Sequence, residues 1–285
     1  MIENRPLATL LAHLTLVLAV LIVAFPIYVA IAASTQTSEQ IVQQAPMSLR
    51  LGSHAAQTWH TSLFGGTTAL GSTLPPALPM LKVSLISALV IAIGKIVISL
   101  LSAFAVVYFR FPGRSLVFWM IFITLMLPVE VRILPTYKVV ADLGLLNTYA
   151  GLTVPLIASA TGTFLFRQFF LTVPDELVEA SRVDGAGPMR FFIDVLVPMT
   201  RTSIAALFVI QFIYGWNQYL WPLLMTTDES MYPIVMGIRR MITGGDAATE
   251  WNVVMAGTLL AMIPPAIVVI AMQRQFVKGL VDSEK

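Results

Sequence analysis

TVPDELVEASRVDGAGPMRFFIDVLVP, residues 172–198, is a polar, helix-punctuated stretch set between two long apolar runs. Thr172 can cap a helix whose opening positions hold Pro174, Asp175 and Glu176, because proline tolerates the first turn and acids complement the positive helix end. Gly185 can close that helix in a left-handed conformation. Gly187-Pro188 then permits a bend into a second short helix, which Pro198 restricts before the next apolar run. The expected product is a compact two-helix knob that serves as a docking loop at a membrane surface.

Composition places the rest of the chain in a membrane. Hydrophobic residues make up 57% and charged residues only 11%, and the mean hydropathy is +0.84, the signature of several spanning helices rather than one soluble core. The formal charge of +2, dispersed along the chain, argues against nucleic acid as a partner. The absence of cysteine excludes a disulfide scaffold, a thiol nucleophile and a thiolate metal site. His13, His54 and His60 show no metal spacing, so neither a metal nor a catalytic residue is expected.

Six apolar runs read as spans: Leu7 to Ala33, Leu81 to Phe109, Leu116 to Leu134, Tyr149 to Leu171, Ile204 to Met225, and Val253 to Met272. Each is long enough to cross a hydrocarbon layer of roughly 30 Å at about 1.5 Å per residue. The first is too long for a secretory signal and lacks a convincing small-residue cleavage site, so it reads as a retained anchor. The expected organisation is an N-terminus and first helix over 1–33, an external loop over 34–80, a transmembrane core over 81–274 that contains the docking loop within 172–200, and a tail over 275–285.

With both termini cytoplasmic, Arg5, Arg110, Arg114, Arg167, Arg182, Arg190, Arg201, Arg274, Lys278 and Lys285 fall inside. The smaller set of Arg50, Lys82, Arg132, Lys138, Arg239 and Arg240 falls outside, which is the bias that sets orientation in membranes. The Ser34 to Met80 segment, with Gly65-Gly66 and Pro75-Pro76, is expected to be irregular with short local structure. Thr226 to Glu250, carrying Arg239-Arg240 and Gly244-Gly245, is the better external partner surface, although its glycines also suit a plain turn.

The docking loop resembles a specific family pattern. Glu179-Ala180-Ser181, Gly185 after three further residues, and Val195-Leu196-Val197-Pro198 after nine more match the EAA loop of ABC importer permeases without a gap. Ser181, Val195 and Val197 are small departures from that pattern. The resemblance implies that this loop docks on an ATP-hydrolysing subunit. The stretches Phe122 to Arg132, Phe164 to Phe170, Tyr214-Gly-Trp-Asn-Gln-Tyr-Leu-Trp-Pro222, Gln273 to Leu280 and the ending Gly279 to Lys285 are similar to the carbohydrate-type importer permeases, and among them to permeases of sn-glycerol-3-phosphate importers. The similarity covers essentially the whole chain.

The resemblance implies an all-α type I importer permease of the cell inner membrane. It would work with a second permease subunit, two ATP-binding subunits that use ATP and magnesium, an external solute-binding protein and membrane lipid. The chain itself would bind no cofactor and catalyse nothing. Its expected solute is sn-glycerol 3-phosphate or a glycerophosphodiester, with a related sugar as the alternative. An ion-coupled secondary transporter using Lys95 and Glu130 is the competing class, against which stand the docking loop and the lack of an evident duplicated half. Gly94-Lys95-Ile96 lacks the upstream glycine and the Ser/Thr of a phosphate-binding loop, so ATP hydrolysis belongs to partners.

Several polar residues lie within the apolar runs. Lys95 falls near the middle of the second, where an unpaired charge costs about 2.5–3.5 kcal/mol, so it should face protein or water. Glu130 and Arg132 could pair with it structurally or line a solute route. Asn217 and Gln218 can hydrogen-bond a polyhydroxylated solute or join neighbouring helices, while Tyr219 and Trp221 suit a membrane interface. For a phosphate-bearing solute, Lys95, Arg132, Arg239 and Arg240 are candidate cationic contacts.

Overall fold

A computed structural model of the chain describes residues 6–43, 48–67, 71, 73–124, 129–242 and 249–282. The described residues are predominantly helical and divide into two compact units, Met1–Pro79 with Gly237–Ile263, and Met80–Met236 with Pro264–Lys285.

In the first unit, the Pro6–Ser34 helix exposes apolar residues on every side, among them Leu10, Leu14, Leu18, Leu21 and Phe25. A helix apolar all round is suited to lipid. Its C-terminal end, Ala32 to Ser34, is instead buried, and polar contacts fasten the chain there. The Gln36 amide donates to Ser48 and Arg50 carbonyls, both at 2.7 Å. The Ser38 hydroxyl donates to Thr249 O at 2.8 Å and accepts from Trp251 N at 3.0 Å. The expected irregular segment after the first span carries the short helices Ser38–Gln43 and Ala55–Phe64 and an antiparallel ribbon pairing Gly66 with Leu74 and Thr67 with Thr73.

In the second unit, the core lies along the Ala77–Tyr108 helix. One apolar cluster joins Ile96, Leu100 and Phe104 of this helix to Phe166, Phe170, Phe191, Phe192, Leu196 and Leu207. The other joins Val83 and Ile91 to Leu152, Leu156, Trp221 and Met225. Away from the helices, Asn147 takes a left-handed φ of 57°, and its Oδ1 accepts from Thr227 N at 2.7 Å and Asp228 N at 3.0 Å. That clasp ties two connecting segments together.

Among the described residues, three helices are long and apolar enough to span: Thr9–Ser34, Ala77–Tyr108 and Trp251–Arg274. Two bent pairs raise the number to five: Tyr149–Ile157 with Ala160–Phe170 at 43°, and Pro188–Met199 with Arg201–Trp216 at 74°. Six spans were expected from hydropathy, and the described residues supply three to five. Pro155 has no backbone N–H, and Ser159 starts a new helix by accepting from Gly162 N. Where one span was expected over Leu116 to Leu134, the apolar Arg114–Ile123 helix has 10 residues, a second helix covers Val129–Asp142, and 125–128 lie outside the described residues. The expected Ile204 to Met225 span ends at Trp216, with Leu220–Met225 a separate short helix.

Candidate functional site

The 172–198 stretch folds as a helix, a left-handed turn and a second helical segment. The first helix, Asp175–Val183, begins after an extended Pro174, with Asp175 and Glu176 in its first turn and Arg182 in its last. These placements complement the helix dipole at both ends. Thr172 does not cap it, as its position suggested; its hydroxyl donates back to Phe169 O at 2.7 Å, ending the preceding helix. Gly185 takes φ 73°, and Ala186 N donates to Ser181 O at 2.9 Å, closing the turn. Gly187 then precedes Pro188–Phe191, which continues as a π-helical turn over Phe192–Leu196 and a last turn over Val197–Met199.

Two faces of this loop do different jobs. Phe191, Phe192 and Leu196 are buried in the cluster with Phe104, Phe166 and Phe170, and Phe104 and Phe192 rings lie 4.8 Å apart. Thr200, fully buried, donates to Leu196 O at 2.6 Å and sits at the bend into Arg201–Trp216. Outward, Glu179 and Ala180 are exposed, Ser181 is half-buried, and Val183 is 87% exposed. Val195 is half-buried against the core while Pro198 is exposed. The Arg190–Asp194 pair, 3.3 Å apart, is largely solvent-facing and contributes little. The motif pattern located the exposed positions; it passed over Phe191 and Phe192, whose adjacent apolar rings beside polar neighbours were the available signal.

The second group of polar residues gathers on Tyr214. Lys95 is 7% exposed, and its Nζ lies 3.7 Å from the Tyr214 ring centroid. A desolvated cation–π contact contributes about 2 kcal/mol, comparable with the cost of a charge in an apolar span. It supplies no counter-charge. Among the described residues no carboxylate pairs with Lys95. The Glu130 side chain lies outside the described residues. Gln218 donates to Tyr214 O at 3.0 Å rather than to a neighbouring helix, and Asn217, which ends the Arg201–Trp216 helix, is exposed. Tyr214 sits at a close approach: a Cβ on its neighbour Gly215 would stand 3.0 Å from the Ala88 backbone, so a larger residue there would have to push the two helices apart by a few tenths of an ångström.

Lys95, Tyr214 and Gln218 are thus brought together. Tyr214 stands out in the sequence only as part of an aromatic run, since its facing depends on Gly215. Trp221 is not an interface residue as one reading allowed; it is 4% exposed and donates to Gly151 O at 3.1 Å. Arg239 and Arg240 lie exposed at the end of the Ile234–Met241 helix. Gly244-Gly245 and the side chains of 275–285 fall outside the described residues.

A loop of this build, set among apolar helices, has counterparts in known proteins. The family described as binding-protein-dependent transport system inner membrane component matches residues 95–282. The sn-glycerol-3-phosphate transport system permease protein UgpE of Agrobacterium fabrum is 62% identical over 286 residues, covering all of both chains. Among solved structures, a bacterial ABC transporter involved in import of the acidic polysaccharide alginate has a TM-score of 0.78 at 19% identity, covering 97% of this chain and 99% of that one. A bacterial alginate ABC transporter in complex with a pentasaccharide-bound periplasmic protein gives a TM-score of 0.58 at 14% identity, covering 95% and 94%.

Proposed function

The chain belongs to the family of binding-protein-dependent transport system inner membrane components, and we propose that its docking loop couples ATP-driven closure of partner subunits to import of sn-glycerol 3-phosphate or a glycerophosphodiester. It is a multi-pass membrane permease of an ABC importer, a transport subunit rather than a catalyst. The solute is carried over from the full-length likeness to the Agrobacterium permease. The partners inferred with it are a second permease, two ATP-hydrolysing subunits that use ATP and magnesium, and an external solute-binding protein. The chain resides in the cell inner membrane with both termini cytoplasmic, an orientation supported by the excess of basic residues on the docking-loop side.

The observation that carries the coupling role is the two-faced loop. Glu179, Ala180 and Ser181 sit on a short helix, Gly185 turns the chain, and Phe191, Phe192 and Leu196 lock the following segment into the spanning core. A partner that grips the outer face by Glu179 and the exposed Val183 pulls on a packed element, not on a slack loop. Because packed cores move as rigid pieces between discrete arrangements, such a pull shifts the spans between outward-facing and inward-facing states. Val195, half-buried against the core, belongs to the lever side of this device, and the exposed Pro198 to its outer face. To the solute route we assign Lys95 and Arg132 as positive charges for a phosphate, and Asn217 and Gln218 as polar groups for the rest of the solute. Glu130 is assigned to the same route.

The test is uptake of labelled sn-glycerol 3-phosphate into vesicles holding this chain, its paired permease, the ATPase and the binding protein. ATP-dependent uptake is expected. Uptake of a different solute would keep the machine and reject the substrate; ATP-independent uptake by this chain alone would reject the importer.

A further inference from the structure

A second cationic cleft lies apart from the Lys95 group. Its volume is about 370 Å³, and it is lined by Arg114, Phe118, Trp119, Phe164, Arg167 and Gln168, with Val107 and Leu171 at the level where the docking loop begins. The Arg114–Ile123 and Ala160–Phe170 helices form its walls. Among the described residues no carboxylate lines it.

Its cations are poorly satisfied. The Arg167 guanidinium lies 4.1 Å from the Phe118 ring centroid, and its Nε is buried without a hydrogen-bond partner among the described residues. Arg114 makes a long contact, Nη1 to Val107 O at 3.5 Å. A buried donor left unmatched costs about 1–3 kcal/mol, and more when charged, so an acceptor from outside the chain would be stabilising. Arginine forks suit phosphate oxygens in particular.

From the arginines, the same walls continue as an apolar, solvent-open strip: Trp119 is 53% exposed, Ile123 55%, and Phe164 37%. A free phosphate would use the arginines and leave this strip bare. An amphiphile with an anionic head and an acyl tail would use both. We propose that this cleft is a seat for an anionic phospholipid, its phosphate between Arg114 and Arg167 and an acyl chain along Trp119, Ile123 and Phe164. The site borders the first residues of the docking loop, so its occupant would brace the segment from which that loop departs. The proposal requires only a membrane-embedded chain and is independent of the transported solute.

The experiment uses the assembled importer in nanodiscs of phosphatidylcholine doped with phosphatidylglycerol, with co-purified lipid quantified by mass spectrometry. Phosphatidylglycerol should be retained over phosphatidylcholine, and the Arg114→Gln/Arg167→Gln pair should lower that enrichment roughly tenfold or more. Equal retention of the two lipids, enrichment unchanged in the double variant, or displacement of the lipid by millimolar inorganic phosphate would each overturn the assignment. Should the double variant fail to assemble, a second measurement needs no arginine change. Brominated phosphatidylglycerol should quench the fluorescence difference between the native importer and its Trp119→Phe variant more than brominated phosphatidylcholine does. Equal quenching, or cross-linking of Trp119→Cys to the paired permease in place of lipid access, would overturn the proposal.

Discussion

The docking loop and the Lys95–Tyr214 contact handle polar groups in opposite ways. On the loop, Glu179 and Arg182 stand toward solvent on one short helix, and apolar Phe191, Phe192 and Leu196 do the anchoring. Around Lys95 the charge is what is buried, held by an aromatic ring from a distant part of the chain with no described carboxylate beside it. The first arrangement anchors itself by apolar packing and leaves its polar groups exposed. The second has, among the described residues, a buried charge met by an aromatic face and by no carboxylate.

The sharpest way to break this contrast is to loosen the anchor. Phe192→Ala removes a buried ring and should cost about 3–5 kcal/mol. Insertion of the chain should persist, measured by membrane fractionation, while ATP-driven uptake falls at least tenfold; normal uptake would mean that the buried face plays no part in coupling. Next comes Lys95→Met. If the lysine serves an anionic solute, assembly is retained and the solute concentration needed for half-maximal ATPase stimulation rises roughly tenfold, the loss of about 1.4 kcal/mol. Loss of the assembled complex in place of that shift would assign Lys95 to structure.

A smaller effect separates two glycines of one loop. Gly185 at φ 73° should lose about 1–2 kcal/mol when changed to Ala, giving a severalfold drop in transport per ATP hydrolysed. Gly187, with φ −72° and open space at its Cβ position, should accept Ala with transport intact. Equal effects at both positions would show that the left-handed turn is not what coupling needs.

The smallest is a pH effect on the segment opposite in character to both. The Ser230 backbone amide, donating at 2.9 Å, holds the Asp228 carboxyl below its ordinary value. A lowered native pKa means that the stabilisation is present above the unfolded value and is lost as pH falls through the native one. Amide exchange at Ser230, corrected for intrinsic rate, should therefore be steady near neutrality and quicken only in acid; quickening at neutral pH would reject that bond as the cause.

The loop was legible because its information is local. Glu179, Gly185 and Pro198 sit at fixed spacing within one stretch, and the positive φ at Gly185 follows from glycine's lack of a Cβ. The cap of its first helix was not legible, because Pro174 takes the capping position while the Thr172 hydroxyl bonds back to Phe169 O. The spans were legible as apolar runs but not as straight helices. Pro155, the Ser159 cap and the Thr200 back-bond break or bend them without changing hydropathy.

By itself, then, the sequence determined a multi-span helical membrane chain and the position of the helix–turn–helix over 172–198, because apolar length and short-range spacing are properties of neighbouring residues. Tertiary structure alone decided which faces those residues present. Lys95 meets Tyr214 where Gly215 packs closely on Ala88, and Arg114 and Arg167 line one cleft where two short helices converge. Such meetings depend on helix rotation and close approach, and neither is written in the order of residues along one segment.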